Sequence, residues 1–260
     1  MIIGTNNCWR KNWEKKYKKW KIENRKWKME NGKNKHQKIE QLIVFLYLIY
    51  MSIEDYLNTL SANVRDITIP IRFQLSSLPP LTRFTNLQSL HCSNNKLTSL
   101  PELPNSLTKL FCDGNELTSL PELPNSLTEL TCEDNKLTSL PALAKLNSLI
   151  ILYCSYNPLT SLPILPDSLT ELICEDNQLT FLPTLPKSLT ELHCNVNQLT
   201  TLPALIKLKS LTELTCNANQ LIGIPALPNS LTELSCNANQ LTALPALPNS
   251  LNKLSCNANQ

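Results

Sequence analysis

The sequence predicts a solenoid: short parallel β-strands stacked along one axis, joined by extended, polyproline-like returns, with a short helix closing the N-terminal end. Three observations predict it. A leucine-centred unit recurs from Leu87 onward, its first leucines falling at 87, 107, 127, 149, 169, 189, 211, 231 and 251, so that every interval is 20 or 22 residues. Each unit opens with apolar residues at every second position, the period of a strand with one buried face. The 18 prolines recur at one phase, in LPELP, LPALP and LPTLP, while only 4 glycines are present. One such unit is too short to enclose a core, and stacked units share theirs.

Charge divides the chain. Of 24 basic and 21 acidic residues, positions 1–50 hold 13 and 4, a local net of +9; the remainder hold 11 and 17, a local net of −6. Residues 1–50 form a basic, Lys/Asn/Trp-rich extension. Trp9, Trp13, Tyr17, Trp20 and Trp27 fall at helical spacing among lysines and arginines, so the extension reads either as a disordered segment, foreign to the native product or not, or as a basic amphipathic helix for an acidic surface. The apolar run through Ile53 is 12 residues without a charge, against about 20 for a bilayer span. It reads as a buried or interfacial helix, with a signal or anchor as the alternative. Residues 9–53 are thus the part that would meet an acidic membrane.

Residues 51–86 read as an N-terminal cap. SIEDYLNTL predicts a short helix with Ser52 as its cap and Asp55 three residues on, placing Ile53, Tyr56, Leu57 and Leu60 on one face over the first strand. LSSLPPLTRFTN aligns with LTSLPALAKLNS, so a degenerate unit occupies about 65–86, with ITIPIRF as its strand.

Residues 87–260 hold eight full units and a ninth that stops inside its turn. Each reads L-x-x-L-x-C-x-x-N-x-L-x-x-[LI]-P-x-L, ending at a Ser; the Leu127 and Leu189 units carry a two-residue insertion before it. This pattern resembles the short leucine-rich repeats of secreted bacterial effectors, the YopM and IpaH type, over roughly residues 65–260. The resemblance implies an α/β-type horseshoe, an inward asparagine ladder at 95, 115, 135, 157, 177, 197, 219, 239 and 259 bonding the adjacent turn, and partner binding on the strand-lined concave face. The ligase domain of some relatives needs a helical region after the repeats, and none is present in this sequence, so ligase activity is not expected. The ninth unit has no polar cap; it frays, pairs with another chain, or marks truncation relative to relatives.

Chemistry finds little footing. No phosphate-cradling glycine motif occurs. His91 and His193 share a repeat phase five units apart, about 24 Å at about 4.8 Å per strand, too far to cooperate. Nine cysteines (92, 112, 132, 154, 174, 194, 216, 236 and 256) share one phase. One cysteine per strand does not converge on a metal, and parallel strands send neighbouring Cβ vectors the same way, against disulfides. They read as core thiols, which points to a reducing compartment, cytoplasmic, or the host cytoplasm for an effector or viral product. No catalytic, metal or cofactor site is expected.

The variable residues face outward. Phe111, Ile151, Tyr153, Tyr156, Ile173 and His193 stand among Glu129, Thr131, Glu133, Asp134, Glu171, Glu175, Asp176 and Glu191. Aromatic groups ringed by charge have the composition of binding hot spots. The expected function is a non-enzymatic module docking a protein with a basic patch on units two to six. Negative charge disfavours nucleic acid on this face. The alternative is a membrane-surface adaptor anchored by the N-terminal segment. The two part on whether the full chain binds vesicles that residues 51–260 do not.

Overall fold

The computed structural model describes residues 51–260, and the solenoid occupies the compact unit Ile53–Gln260. The extension and the apolar run to residue 50 lie outside the described residues. Helix α1 (Ile53–Thr59) leads into ten strands: β1 (Asp66–Thr68), β2 (Ser89–His91), β3 (Lys109–Phe111), β4 (Glu129–Thr131), β5 (Ile151–Tyr153), β6 (Glu171–Ile173), β7 (Glu191–His193), β8 (Glu213–Thr215), β9 (Glu233–Ser235) and β10 (Lys253–Ser255). They form one parallel sheet in chain order. Every pair is in register, Leu opposite Leu from β2 to β10 and Ile67 opposite Leu90 at the start.

Each strand is three residues long because only its middle side chain turns inward; the cysteine two positions later continues the inward row. Leu110, Leu130, Leu152, Leu172 and Leu192 are fully buried, as are the cysteines that follow them. The chain then turns at the asparagine and sends two more leucines inward, such as Leu137 and Leu140, before the proline segment carries it back. Fixed φ and missing amide donors keep that return extended rather than helical. Burying each such leucine contributes about 1.5–3 kcal/mol, and the leucines of successive coils form one continuous core. Insertions are absorbed on the return: Leu143 and Leu146 both point inward, joined by a Leu146 N–H to Leu143 carbonyl bond of 2.9 Å, and the register of β4 with β5 is kept.

Polar side chains tie coil to coil. Asn135 donates from Nδ2 to the carbonyls of Cys112 (3.0 Å) and Cys132 (3.2 Å), while its Oδ1 accepts the N–H of Leu117 (3.0 Å). The same set recurs at Asn115, Asn157, Asn177, Asn197, Asn219 and Asn239, each buried. Serines before the first leucine add a second tie, as in Ser126 Oγ to the Leu107 carbonyl at 2.7 Å. These bonds leave the buried backbone of the turns satisfied.

Among the described residues eight cysteines are buried and Cys256, in the last coil, is exposed; all nine are free thiols. Cys112 shows why the position suits a thiol: its N–H (2.9 Å) and its Sγ (3.3 Å) both donate to the Thr131 carbonyl of the next coil. Burial pushes the thiols of Cys92, Cys154 and Cys194 up to about 12, so these sulfurs stay protonated and unreactive.

At the N-terminal end α1 lies over β1. Leu57 is buried, Ile53, Tyr56 and Leu60 pack on the same core, and the Tyr56 hydroxyl donates to the Thr68 carbonyl at 2.9 Å. The Arg83 guanidinium donates to the Leu57 carbonyl and lies 4.4 Å from the centre of the Phe84 ring. ITIPIRF is not one strand. Pairing stops after Ile69, whose N–H reaches the His91 carbonyl at 2.7 Å. Pro70 has no N–H to continue the ladder, and Ile71–Phe73 winds into a 3-10 turn.

Candidate functional site

The outward face of the sheet presents the first and third residue of each strand. Register therefore decides which side chains meet. Phe111, Thr131, Tyr153, Ile173 and His193 form one consecutive row across β3–β7. Glu129, Ile151, Glu171 and Glu191 form the row beside it across β4–β7, continued by Glu213 and Glu233 on β8 and β9. Insertions of two residues do not disturb either row, so residues 20 or 22 apart in sequence become neighbours about 4.8 Å apart.

The first row is aromatic and stacked at its start. His91 lies against Phe111 with ring centres 4.3 Å apart and planes 10° from parallel. Further along, the Tyr153 hydroxyl donates to Glu171 Oε2 at 2.7 Å. Burial first, then that hydrogen bond and the surrounding glutamates, raise the Tyr153 phenol well above its usual range, so it remains a donor. Thr131 departs from expectation. It points outward but is only 7% exposed, since the larger Phe111 and Tyr153 side chains flank it in register. Its hydroxyl is spent on Asp113 Oδ2 at 2.7 Å. Thr131 supports the surface and is not available to a partner.

The column after the cysteine is not a free recognition surface either. Asp113 Oδ1 accepts the N–H of Glu133 at 3.0 Å and Ser155 Oγ accepts that of Glu175 at 3.1 Å. Asn195 Oδ1 accepts the Asn217 N–H at 2.7 Å, and Asn217 and Asn237 repeat the bond. This outer ladder mirrors the asparagine ladder inside. Nothing in sequence alone distinguishes it from an exposed polar column, because the acceptor type changes from Asp to Ser to Asn. Glu133 sits within it, its carboxyl raised by burial, with the Ser155 hydroxyl opposing the shift.

Three of the expected site residues lie off the strand face. Asp134, Tyr156 and Asp176 occupy the turn before the inner asparagine, with φ of 50°, 55° and 49°. Left-handed backbone there aims these side chains beside the sheet edge, and Tyr156 is 57% exposed. With Pro158, Gln178 and Val196 it rims a shallow depression apart from the strand rows. The expected patch is thus divided: Phe111, Tyr153, Ile151, Ile173, Glu171, Glu191, His193, Glu129 and Glu175 share the strand face, while Asp134, Tyr156 and Asp176 lie on the turns, the last two at the depression.

Negative charge is also distributed differently from the expected units two to six. Glu129 is already paired with Lys109 at 2.7 Å. Glu171, Glu191, Glu213 and Glu233 stand in four consecutive strands, and of these only Glu233 meets a lysine, Lys253 at 2.9 Å, among the described residues. Acidity peaks over β6–β8. His193 lies inside this field, with Nδ1 3.8 Å from Glu175 Oε1 and Nε2 3.2 Å from Glu213 Oε1. Glu175 in turn accepts a short hydrogen bond from Asn195 Nδ2. Glu213 was outside the expected patch, and only register with Glu191 brings it in.

The family model for leucine-rich repeats (two copies) matches residues 85–125, 125–167 and 187–229. Among solved structures, a Shigella effector leucine-rich repeat domain is 34% identical, with a TM-score of 0.55, 64% of this chain covered and 73% of that one. This chain belongs to the leucine-rich repeat family. YopM, a leucine-rich effector protein from Yersinia pestis, is 36% identical with a TM-score of 0.64, covering 74% of this chain and 61% of that one. YopM from Yersinia enterocolitica is 32% identical with a TM-score of 0.64, covering 95% and 55%. This leucine-rich repeat chain therefore spans little more than half of the YopM chains it matches. Among curated proteins none matches it by sequence.

Its repeats are of the bacterial-effector type. Leucine-rich repeat proteins are protein-interaction modules, and the fold generally serves as a binding scaffold rather than an enzyme. Among the described residues no helix is long and apolar enough to cross a membrane.

Proposed function

We propose that this leucine-rich repeat protein docks a partner protein bearing a basic patch on the outward face of β3–β8. The observation that carries the reading is the adjacency of the two rows. An aromatic and aliphatic row, Phe111, Tyr153 and Ile173, runs beside carboxylates at Glu171, Glu191 and Glu213 that meet no lysine or arginine among the described residues. Such an arrangement supplies apolar anchors that exclude water and charge that selects and steers the incoming cation-rich surface. Nucleic acid is a poor occupant because its phosphates meet the same carboxylates. Eight buried, unpaired thiols support a reducing compartment as the place of action. The relatives support an effector-like role directed at proteins of another cell.

Affinity capture with the full chain tests the reading. Phe111→Ala combined with Tyr153→Ala removes the anchors, and Glu191→Lys combined with Glu213→Lys reverses the charge. The genuine partner is retained by the parent chain, lost with either double change, and released as salt rises. If every captured protein survives both changes, this face is not the docking surface.

A further inference from the structure

We propose that Glu191, His193 and Glu213 form a divalent transition-metal site on the strand face, of the class that takes Zn²⁺. Glu191 and His193 are the first and third residues of β7, so both point outward, and register places Glu213 of β8 directly opposite Glu191. One ligand atom from each, an imidazole nitrogen and two carboxylate oxygens, lies within 4.8 Å of the others.

The histidine supplies the second observation. Its Nε2 is shut off from solvent and makes no hydrogen bond, although Glu213 Oε1 is only 3.2 Å away. Glu175 Oε1 stands 3.8 Å from the other ring nitrogen, Nδ1. A carboxylate lies on each side of the ring, and Nε2 makes no hydrogen bond to the nearer one. With the ring proton on Nδ1, toward Glu175, Nε2 is free to offer its lone pair to a cation held between it and Glu213. No lysine or arginine pairs with Glu191 or Glu213 among the described residues.

The donor set selects the metal. Imidazole with two carboxylates suits Zn²⁺ and its transition-metal neighbours, whereas Mg²⁺ and Ca²⁺ prefer all-oxygen sites. Bonds of about 2.0–2.2 Å require the three atoms to draw together, which two partly exposed glutamates achieve by side-chain rotation. Three protein ligands leave a fourth position open outward, for water or a donor from another molecule. Glu175 is a positioning residue in this scheme: it acts through the imidazole, in the arrangement that orients metal-bound histidines.

The test is Zn²⁺ titration by calorimetry of the full chain after chelator treatment, with Co²⁺ absorption as a second readout. The parent chain binds Zn²⁺ at a site that His193→Gln and Glu213→Gln each weaken by about 100-fold or more, and Glu175→Gln by about 10-fold. Glu129→Gln leaves it unchanged. Bound Co²⁺ gives the weak visible bands of nitrogen and oxygen ligation, without the intense near-ultraviolet band of thiolate. Glu213→Gln keeps size and sits on the surface, so it remains informative should His193→Gln misfold. The proposal is overturned if Zn²⁺ does not bind, if it binds the parent and Glu213→Gln equally, or if Co²⁺ shows thiolate ligation. In the last two cases the exposed thiol of Cys256 or another group is the ligand. A protonated His193 held between glutamates also overturns it, and shows as no binding of either metal.

Discussion

Asn157 Oδ1 accepts the backbone N–H of Leu137 at 3.0 Å, while its Nδ2 donates to the Cys132 carbonyl, also at 3.0 Å. One side chain thus satisfies two backbone groups of the preceding coil, 20 and 25 residues away. Asn157→Ala leaves the buried Leu137 N–H unpaired and removes one of the two donors to the Cys132 carbonyl, which keeps Asn135, at a cost of about 2 kcal/mol. Asn157→Asp keeps the acceptor but loses the donors, and is also destabilising. The same change at Asn259, on the partly exposed last coil, costs less than about 1 kcal/mol. Urea denaturation of the three variants checks the order.

Val196 adopts φ of 52°, a left-handed conformation costly for a β-branched residue. Gly114 fills the same phase at φ of 60° without that cost. Val196→Gly is expected to raise stability by about 1 kcal/mol. Gly114→Ala is expected to lower it by about as much, since a Cβ there meets Asn94 Oδ1 at 2.8 Å as well as a positive φ. Thermal melts that move in the same direction for both variants would sink this account.

Buried thiols make stability fall in alkali. The unfolded thiol titrates near 9.0, whereas Cys92, Cys154 and Cys194 titrate near 12 in the fold. Below the unfolded value both states hold the proton and stability is unaffected. Above it the unfolded chain loses protons the fold retains, so stability declines by about 1.4 kcal/mol per pH unit for each thiol until the folded value is passed. Urea midpoints from about pH 8 to about pH 10 measure the slope, and Cys154→Ala flattens it by one thiol's share. At neutral pH, alkylation of the native chain reaches Cys256 among the nine described thiols and spares the eight buried ones.

Glu191 faces Glu171 on one side and Glu213 on the other. Like charges in register destabilise a sheet. Glu191→Gln is therefore expected to raise stability by about 0.5 kcal/mol at low salt, a gain that fades as salt screens the row. The same variant weakens capture of the proposed basic partner. A chain that loses stability on this change would show that the carboxylate is held by attraction instead.

Inward positions were legible because a repeat fixes phase. Leu130, Cys132 and Asn135 each recur at one place in every unit, and a residue that recurs while its neighbours vary belongs to the shared core. The returns were legible from proline chemistry. ITIPIRF was misjudged because its alternation looks strand-like, yet Pro70 ends the ladder. The outer ladder through Asp113, Ser155 and Asn195 escaped because its chemistry changes from coil to coil while its hydrogen-bonding role does not. Thr131 was misjudged because its burial depends on Phe111 and Tyr153, residues 20 before it and 22 after it.

The sequence by itself determined the period, the inward columns and the stacking of parallel strands, since these follow from hydrophobic spacing within one unit. Tertiary structure alone decided which outward side chains meet. Insertions of two residues are taken up on the return, so β7 and β8 keep their register and Glu213 comes to stand beside Glu191, within 3.2 Å of His193. Contacts between coils depend on the path between the strands, and spacing along the chain does not record that path.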